Sequence, residues 1–292
     1  LRSLCSFIGT AIANSELYSL VEKQKAKLLS DLDIARKIQE SIIKTIPDTD
    51  HLHINSRYIA MESVGGDLYD VRRIGKNSYS LMISDVSGHG VPAALITTMA
   101  KTSFINHSHF TKSSSITCSE VNDDLYSLIG DTRYYLTAFY ATLNMSTMIL
   151  SYTNCGHQLP LLYRDETGEI EELDTEGLYI GIVDEPGYET KTVKLHVKDK
   201  LLMFTDGITE ARNENNEFYT NQRLNNFLKT NGHKAPDIFL QELMDDVESF
   251  CGEREPDDDR AILLIEIIQT ETSEGEEKTE LFIDGVYSSI EH

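Results

Sequence analysis

The sequence contains no tryptophan, no C-x-x-C pair and no long apolar run. Its four cysteines lie far apart, so neither a disulfide framework nor a structural zinc site is expected, and a reducing cytoplasm suits them. No apolar stretch approaches the roughly 18 residues of a membrane span, and no signal peptide is recognisable. The chain begins on Leu1, so we expect it to be part of a longer protein.

Positive charge is also scarce. The chain has 26 lysines and arginines against 48 aspartates and glutamates, for a formal net charge of −22. Such an excess repels the phosphate backbone of nucleic acids, so DNA and RNA are not expected as partners. With 292 residues, of which 40% are hydrophobic, the chain is long enough for one large core or two domains.

Proline and glycine are nearly absent from the first 46 residues, where no proline precedes Pro47 and the only glycine is Gly9. Residues spaced by three or four there are Leu17, Val21, Gln24, Leu28, Leu32, Ala35, Gln39, Ile42 and Ile46. This spacing predicts a nearly unbroken helix that forms a parallel dimeric coiled coil, locally unwound at Leu28. The alternative is an amphipathic helix packed on its own domain.

The helical register runs without interruption from Leu28 to Ile46, directly into the region that follows. We therefore expect the stretch from Asp33 to Ile46 to act as a regulatory switch, whose rotation or pairing in a homodimer controls the downstream site. The residues assigned to this role are Leu28, Leu32, Ala35, Ile38 and Ile42. The segment 1–18 resembles the last helix of a GAF-type small-molecule sensor domain.

Short apolar runs between turn residues predict the remaining elements. Strands are expected at 53–60, 68–74, 79–85, 136–143, 148–154, 159–164, 193–196, 201–204 and 261–268, and helices at 91–107, 115–129, 221–229 and 237–250. Sheets separated by helix pairs fit a layered α+β domain. The predicted units are the end of a sensor domain with a coiled-coil linker at 1–46, one domain at 47–268, and an acidic tail or linker at 269–292, with a possible element at 281–287.

Aspartates recur where predicted strands meet loops. Asp85 ends an apolar run and precedes two glycines and a helix opened by Pro92, a residue tolerated in the first helical turn. The other corners are Gly65-Gly66-Asp67, Thr205-Asp206-Gly207 and Asp257-Asp258-Asp259-Arg260. One Asp-Gly is usually only a turn, but hard cations need several oxygen ligands, and recurring carboxylates at strand ends could supply them.

The segments that contain these corners occur in the order of a known family. They are 34–39, 65–70, 85–95, 154–162, 205–211 and 258–260. Together they resemble the PPM group of metal-dependent serine/threonine phosphatases (protein phosphatase 2C-like), and more narrowly its bacterial SpoIIE-type branch of partner-switching regulators. The resemblance covers about 33–268 and implies a four-layer α-β-β-α sandwich of two mostly antiparallel sheets flanked by helices.

The resemblance also implies two Mn²⁺ or Mg²⁺ ions at one end of the sandwich. By motif position, Asp85 would bridge both ions, and Asp67 and the Val86 carbonyl would ligate one of them. Asp206 and Asp258 would ligate the other ion. Asp67 and Asp85 would thus carry catalysis. Because the family has Asp followed by Asp or Asn at the last motif, a slip from Asp258 to Asp259 stays open.

The implied reaction is hydrolysis of a phosphoserine or phosphothreonine ester on a protein. Divalent cations lower the pKa of water and offset phosphoryl charge, and an all-oxygen donor set suits Mg²⁺ or Mn²⁺ better than Zn²⁺. The family implies a phosphorylated anti-sigma factor antagonist of the STAS type as substrate. Supporting roles at the site are expected for Gly66, His89, Gly207, Asp259 and Glu210, and a turn-capping role for His157.

Two other functions compete with this interpretation. Gly65-Gly66-Asp67 superficially matches the start of a cyclic-dinucleotide cyclase signature, but Leu68 follows where that signature needs an acidic residue. The second alternative is a catalytically silent phosphatase-fold scaffold or signalling output module. Such a protein should lack the metal-ligating carboxylates, whereas all four positions here hold aspartate.

Overall fold

The computed structural model describes residues 2–42 and 48–268. The sequence predictions made for Ile46, for Pro47 and for the tail at 269–292 lie outside the described residues. Within them, helix α1 spans Arg2–Ile42 and is followed by a domain of ten strands and five helices. The predicted N-terminal helix is therefore observed as far as the structure describes it.

The remaining elements follow in chain order. The strands are β1 (Leu52–Ile59), β2 (Leu68–Gly75), β3 (Ser78–Val86), β4 (Leu136–Asn144), β5 (Ile149–Cys155), β6 (Leu161–Tyr163), β7 (Ile170–Glu172), β8 (Lys191–Lys194), β9 (Lys200–Phe204) and β10 (Arg260–Ile267). The helices are α2 (Gly90–His107), α3 (Ser114–Ile129), α4 (Asp206–Thr209), α5 (Asn221–Asn231) and α6 (Pro236–Cys251).

The strands form two antiparallel sheets of five strands each. Their orders are β1-β10-β9-β6-β7 and β2-β3-β4-β5-β8. Helices α2 and α3 cover the outer face of the second sheet, and α5 and α6 cover the outer face of the first. The α-β-β-α sandwich predicted from the family resemblance is confirmed.

The central strands are apolar on both faces because each lies between the other sheet and a helical layer. Leu81 and Ile83 of β3 face the core between the sheets, whereas Met82 between them packs under α2 and α3. Alternate residues of a strand point to opposite faces, so a doubly covered strand is expected to read as a continuous apolar run. The same explanation holds for β10.

Most predicted strands and helices begin and end within two residues of the observed ones. Two short elements were not predicted, namely β7 and the single turn α4. The predicted strand at 159–164 is wrong in length, since β6 starts at Leu161. Pro160 directly precedes it, and a proline offers no N–H to a sheet.

Helix α1 contacts the domain only near its C-terminal end. Residues 6–31 are all exposed, whereas Gln39 is buried and Leu32, Ala35 and Ile42 are partly buried. Lys101 of α2 donates to the Ile42 carbonyl oxygen at 2.7 Å and so fixes the helix end. None of the helices in the described part of the chain combines the length and apolar composition that a bilayer crossing requires.

Candidate active site

Strand pairing brings the predicted carboxylates to one end of the sandwich. Asp67 directly precedes β2 and Asp85 lies near the end of β3, and the pair Leu68 and Ser84 holds these strand ends side by side. In the other sheet, Asp206 follows β9 and Asp258 precedes β10, which is hydrogen-bonded to β9. Each sheet therefore contributes two aspartates to the same end.

Three of these aspartates line one cavity of about 380 Å³. The lining includes Asp85, Val86, His89, Asp206 and Asp258. Asp67 lies deeper and is 1% exposed, with its Oδ2 atom accepting a hydrogen bond from Thr205 Oγ1 at 2.7 Å. The structure thus gathers four carboxylates from four separate segments of sequence.

Burial and mutual repulsion disfavour the charged form of these carboxylates. Burial, with added repulsion from Asp206 and Asp258, raises the pKa of Asp85 to about 8. Burial and the charge of Asp85 raise the pKa of Asp67 well above its usual range. Burial likewise raises the pKa of Asp206 and of Asp258. A bound cation would relieve this repulsion, because an opposite charge favours the ionised carboxylates.

Two glycines permit the close approach of the backbones at this site. A Cβ atom on Gly66 would lie 2.9 Å from the Val86 carbonyl oxygen, and one on Gly207 would lie 1.8 Å from the Asp259 carbonyl oxygen. Any larger residue would push these segments apart. The supporting roles expected for Gly66 and Gly207 therefore have a steric basis.

Asp258 and Asp259 have different surroundings. Asp259 is buried, and its carboxylate accepts hydrogen bonds from the Met61 amide at 2.8 Å and the Gly66 amide at 2.6 Å. Asp258 instead lines the cavity beside Asp85 and Asp206. This geometry favours Asp258 as the ligand and Asp259 as the residue that fixes the neighbouring loop.

Substitution of Asp258 is expected to lower the activity, whereas substitution of Asp259 is expected to lower the stability. We expect Asp259→Ala to lower the free energy of unfolding by about 3 kcal/mol, because two buried amides lose their acceptor. In Asp258→Ala the phosphatase rate should fall sharply while the melting temperature changes little. Thermal unfolding and phosphate release measured on both variants check this, and equal losses of stability would contradict the assignment.

The donor set fits a hard divalent cation. Asp67, Asp85, Asp206 and Asp258 together with the Val86 carbonyl offer only oxygen ligands, the type that Mg²⁺ and Mn²⁺ prefer. Within residues 2–42 and 48–268, no three acidic, histidine or cysteine side chains are already arranged to hold one metal ion. The carboxylates share one end of the fold, and their side chains would have to move to ligate an ion together.

The two histidines near the site have different environments. His89 is exposed at the cavity mouth, with Nδ1 3.0 Å from a carboxylate oxygen of Glu62. His157 is buried, and burial lowers its pKa to about 4, so its ring is neutral. Its amide donates to Asn154 Oδ1 at 2.7 Å and its Nδ1 lies 2.8 Å from Thr137 Oγ1. These bonds are typical of the structural role expected for His157.

The remaining predicted residues are placed as follows. Glu210 is exposed and acts on the site through its charge, which contributes to the raised pKa of Asp206. Leu32, Ala35 and Ile42 lie on the face of α1 that meets the domain, whereas Leu28 is 60% and Ile38 58% exposed. Leu28 and Ile38 are thus free to contact another molecule.

Sequence reasoning missed two residues that hold the site together. Thr205 Oγ1 both donates to Asp67 and accepts from the Ala261 amide at 2.9 Å, and so links both sheets. Gln39 donates through Nε2 to the Gly65 carbonyl oxygen at 2.6 Å and accepts from the Gly65 amide at 3.0 Å. The available signal for Gln39 was a polar residue in the part of the helical seam from Leu28 to Ile46, where the other residues are apolar.

A four-layer sandwich with this carboxylate cluster at one end defines a phosphatase domain of the PP2C type. Residues 75–268 match the family described as stage II sporulation protein E (SpoIIE). The chain belongs to the SpoIIE family. This membership rules out the cyclic-dinucleotide cyclase considered above.

Individual relatives agree with this membership. The chain is 29% identical over 212 residues to the phosphoserine phosphatase RsbU of Bacillus subtilis (strain 168), covering 71% of this chain and 62% of that protein. The solved structure of the SiaA-PP2C domain of Pseudomonas aeruginosa superimposes with a TM-score of 0.72 at 22% identity, over 83% of this chain and 98% of that one. The catalytic domain of the phosphatase PstP, in complex with 2 manganese ions, gives a TM-score of 0.54 at 11% identity, over 75% and 99%.

Proposed function

We propose that this protein is a metal-dependent phosphatase that hydrolyses phosphoserine or phosphothreonine on a protein substrate. The observation that carries the proposal is the convergence of four aspartates from distant segments at one end of the fold, with Asp85, Asp206 and Asp258 lining one cavity and Asp67 buried beneath it. A silent scaffold would not need to retain a buried cluster whose own repulsion destabilises the fold. The similarity to the phosphoserine phosphatase RsbU supports the same activity.

Each residue of the site has its own role in the proposed reaction. Divalent cations, two of them Mn²⁺ or Mg²⁺ by analogy with the family, would be held by the four aspartates and the Val86 carbonyl, and would supply an activated water and charge neutralisation. Thr205 orients the Asp67 carboxylate through its hydrogen bond. Asp259 fixes the Gly66 amide and so keeps the loop before Asp67 against the site. The cavity leaves room for a phosphoryl group beside Asp85.

The substrate in this proposal is a phosphorylated STAS-type anti-sigma factor antagonist, as the family resemblance implies. The acidic character of this chain supports a protein rather than a nucleic acid as partner, since its net charge of −22 repels nucleic-acid backbones.

Control by the N-terminal helix is part of the proposal. The helix presents three apolar residues on one face that are half or more exposed, namely Leu17, Val21 and Leu28, spaced by four and seven residues. Such a stripe supports pairing with a second copy of the chain as a coiled coil. The same helix reaches Gly65, next to the site, through Gln39. A change in pairing could therefore alter the position of the loop that carries Asp67.

The activity is tested by phosphate release from a phosphoserine protein with Mn²⁺ and with a chelator. We expect release that depends on Mn²⁺ or Mg²⁺ and a calorimetric Mn²⁺-binding signal that Asp206→Ala weakens. Asp245→Ala is the matched control, because this exposed aspartate on α6 accepts a hydrogen bond from Gln241 and does not line the cavity. Metal binding without any phosphate release would favour the silent scaffold instead.

A further inference from the structure

Two tyrosines line the cavity together with the aspartates. The lining includes Tyr135, Tyr179, Gly156 and Gln158. The rings of Tyr135 and Tyr179 stack, with centroids 4.8 Å apart and planes 16° from parallel. Tyr179 is 40% exposed, so this ring pair presents an accessible apolar surface within a cavity that is otherwise polar.

The aromatic pair is joined directly to the loop that follows Asp85. The Ser87 amide donates to the Tyr135 carbonyl oxygen at 2.9 Å, and the Tyr135 amide donates to Ser87 Oγ at 3.0 Å. Tyr179 packs over Gly156, where a Cβ atom would lie 2.4 Å from the Tyr179 ring. The rings are therefore held at a fixed position relative to the carboxylates.

The segment that carries Tyr179 has no regular secondary structure but is firmly anchored. It connects β7 to β8, and its Ile180 exchanges two backbone hydrogen bonds with Leu136, at 2.8 and 3.0 Å. The buried side chain of Asn122 on α3 accepts from the Gly181 amide at 2.9 Å and donates to the Val183 carbonyl oxygen at 2.9 Å. These bonds fix the segment directly C-terminal to Tyr179.

Two more exposed apolar side chains lie in the same segment as Tyr179. Leu178 is 54% exposed and Ile182 is 46% exposed, and both flank the anchored Ile180. An anchored segment with exposed apolar side chains beside a cavity is typical of a binding surface. Ile180, which lies between them, is buried in the core, so the packing of the core does not depend on Leu178 or Ile182.

We propose that Tyr135 and Tyr179, extended by Leu178 and Ile182, bind an apolar side chain adjacent to the phosphoserine of the substrate protein. This inference rests on the proposed phosphatase function, because it places the phosphoryl group beside Asp85. Consecutive Cα atoms are about 3.8 Å apart, so a residue next to the phosphoserine reaches the wall of the same cavity. An acidic neighbour would be disfavoured by the aspartates that line the cavity.

The test compares two phosphoserine peptides that differ only in the residues on either side of the phosphoserine, leucine in one and glycine in the other. With the full chain and Mn²⁺, we expect kcat/KM to be about tenfold higher for the leucine peptide, a typical selectivity for an apolar pocket. Tyr179→Ala should lower kcat/KM for the leucine peptide and bring the ratio close to one. Tyr179→Phe should retain the preference, because the ring is preserved.

Tyr126→Ala is the matched control, since Tyr126 is 37% exposed on α3 and does not line the cavity; it should leave both rates unchanged. If the wild-type protein cleaves both peptides at equal rates, the inference is overturned and the phosphatase function stands. If Tyr179→Ala slows both peptides equally, the ring has a structural role and the inference is again overturned. If no phosphoserine substrate is cleaved with Mn²⁺, the proposed function fails, and the inference with it.

Discussion

Replacement of Asp85 by asparagine is expected to reduce phosphate release roughly a thousandfold while making the metal-free protein more stable. The loss of rate follows because metal ions contribute several kcal/mol of transition-state stabilisation, and each 1.4 kcal/mol corresponds to about a factor of ten. The gain in stability follows from the surroundings of Asp85, where burial and the charges of Asp206 and Asp258 oppose ionisation. Asparagine is nearly the same size and carries no charge.

The pH dependence of this gain has a definite sign. The pKa of Asp85 rises from its ordinary value of 3.8 to about 8 in the folded protein. Between these values the folded protein holds a proton that the unfolded chain does not, so stability falls as pH increases through this window. Each pH unit corresponds to about 1.4 kcal/mol for one such group. Asp85→Asn should therefore show a weaker decline in stability between about pH 4 and pH 8.

Thermal unfolding in the presence of a chelator measures this effect. At pH 8 we expect the melting temperature of Asp85→Asn to exceed that of the wild type by roughly 5–10 °C, and the difference should shrink towards pH 4. Saturating Mn²⁺ should stabilise the wild type more than the variant. Asp245→Asn makes the same chemical change at an exposed aspartate that does not line the cavity, and it should alter neither property strongly. A metal-free Asp85→Asn protein that melts below the wild type would contradict the repulsion argument.

The layered fold could be predicted from the sequence because the central strands combine two local signals. The strands β3 and β10 read as apolar runs of the length of one strand, and turn residues separate them from the helices. The order of the strands within the sheets could not be predicted in this way. The pairing of β1 with β10, from opposite ends of the domain, joins residues that no local pattern relates. The family resemblance supplied the layers of the sandwich, whereas the strand order is known from the structure.

The candidate site could be predicted in part for the same reason. Each Asp-Gly or Gly-Asp corner is visible locally, so the four carboxylates were identified before the structure placed them together. The side chains that support them lie far away in sequence. Asp259 bonds the Met61 amide across 198 residues, and Thr205 bonds Asp67 across 138. Such contacts depend on the packing of two sheets, which residue spacing alone does not contain.

The choice between Asp258 and Asp259 as the ligand also could not be made from the sequence. Both are acidic residues before the same strand, and the sequence left a slip of one position open. The structure separates them by direction, since the Asp259 carboxylate is occupied by two backbone amides and Asp258 faces the cavity. Both residues precede β10 in an irregular segment, so their directions follow from the packing of the loop and not from a sequence pattern.

Gln39→Ala is expected to lower kcat/KM about tenfold and to raise the Mn²⁺ concentration needed for half-maximal activity by a similar factor. The Gln39 side chain makes two hydrogen bonds with the backbone of Gly65. The next residue, Gly66, donates to Asp259, and Asp67 follows it. Two buried backbone groups would lose their partner at a cost of about 1–3 kcal/mol each. We expect the loss of these hydrogen bonds to loosen the loop before β2, so that Asp67 is held less firmly for metal binding.

Metal titrations of activity on three variants check the Gln39 contact. Gln39→Glu keeps an acceptor for the Gly65 amide but loses the donor, so it should fall between the wild type and Gln39→Ala. Glu40→Ala changes an adjacent side chain that is 62% exposed and should behave as the wild type. Excess Mn²⁺ should restore much of the rate of Gln39→Ala, because metal binding and loop order are linked.

A shortened chain beginning at Asp33 separates the two parts of the regulatory proposal. It keeps Gln39 and its bonds to Gly65 but lacks most of the exposed apolar stripe on α1. We expect it to be monomeric and less active than the full chain, because helix pairing no longer supports the contact. If it is instead a fully active monomer, the proposal that dimerisation controls the activity is wrong. The Gln39 contact is then tested separately by Gln39→Ala. A Gln39→Ala protein with wild-type metal requirement and rate would show that α1 merely rests on the domain.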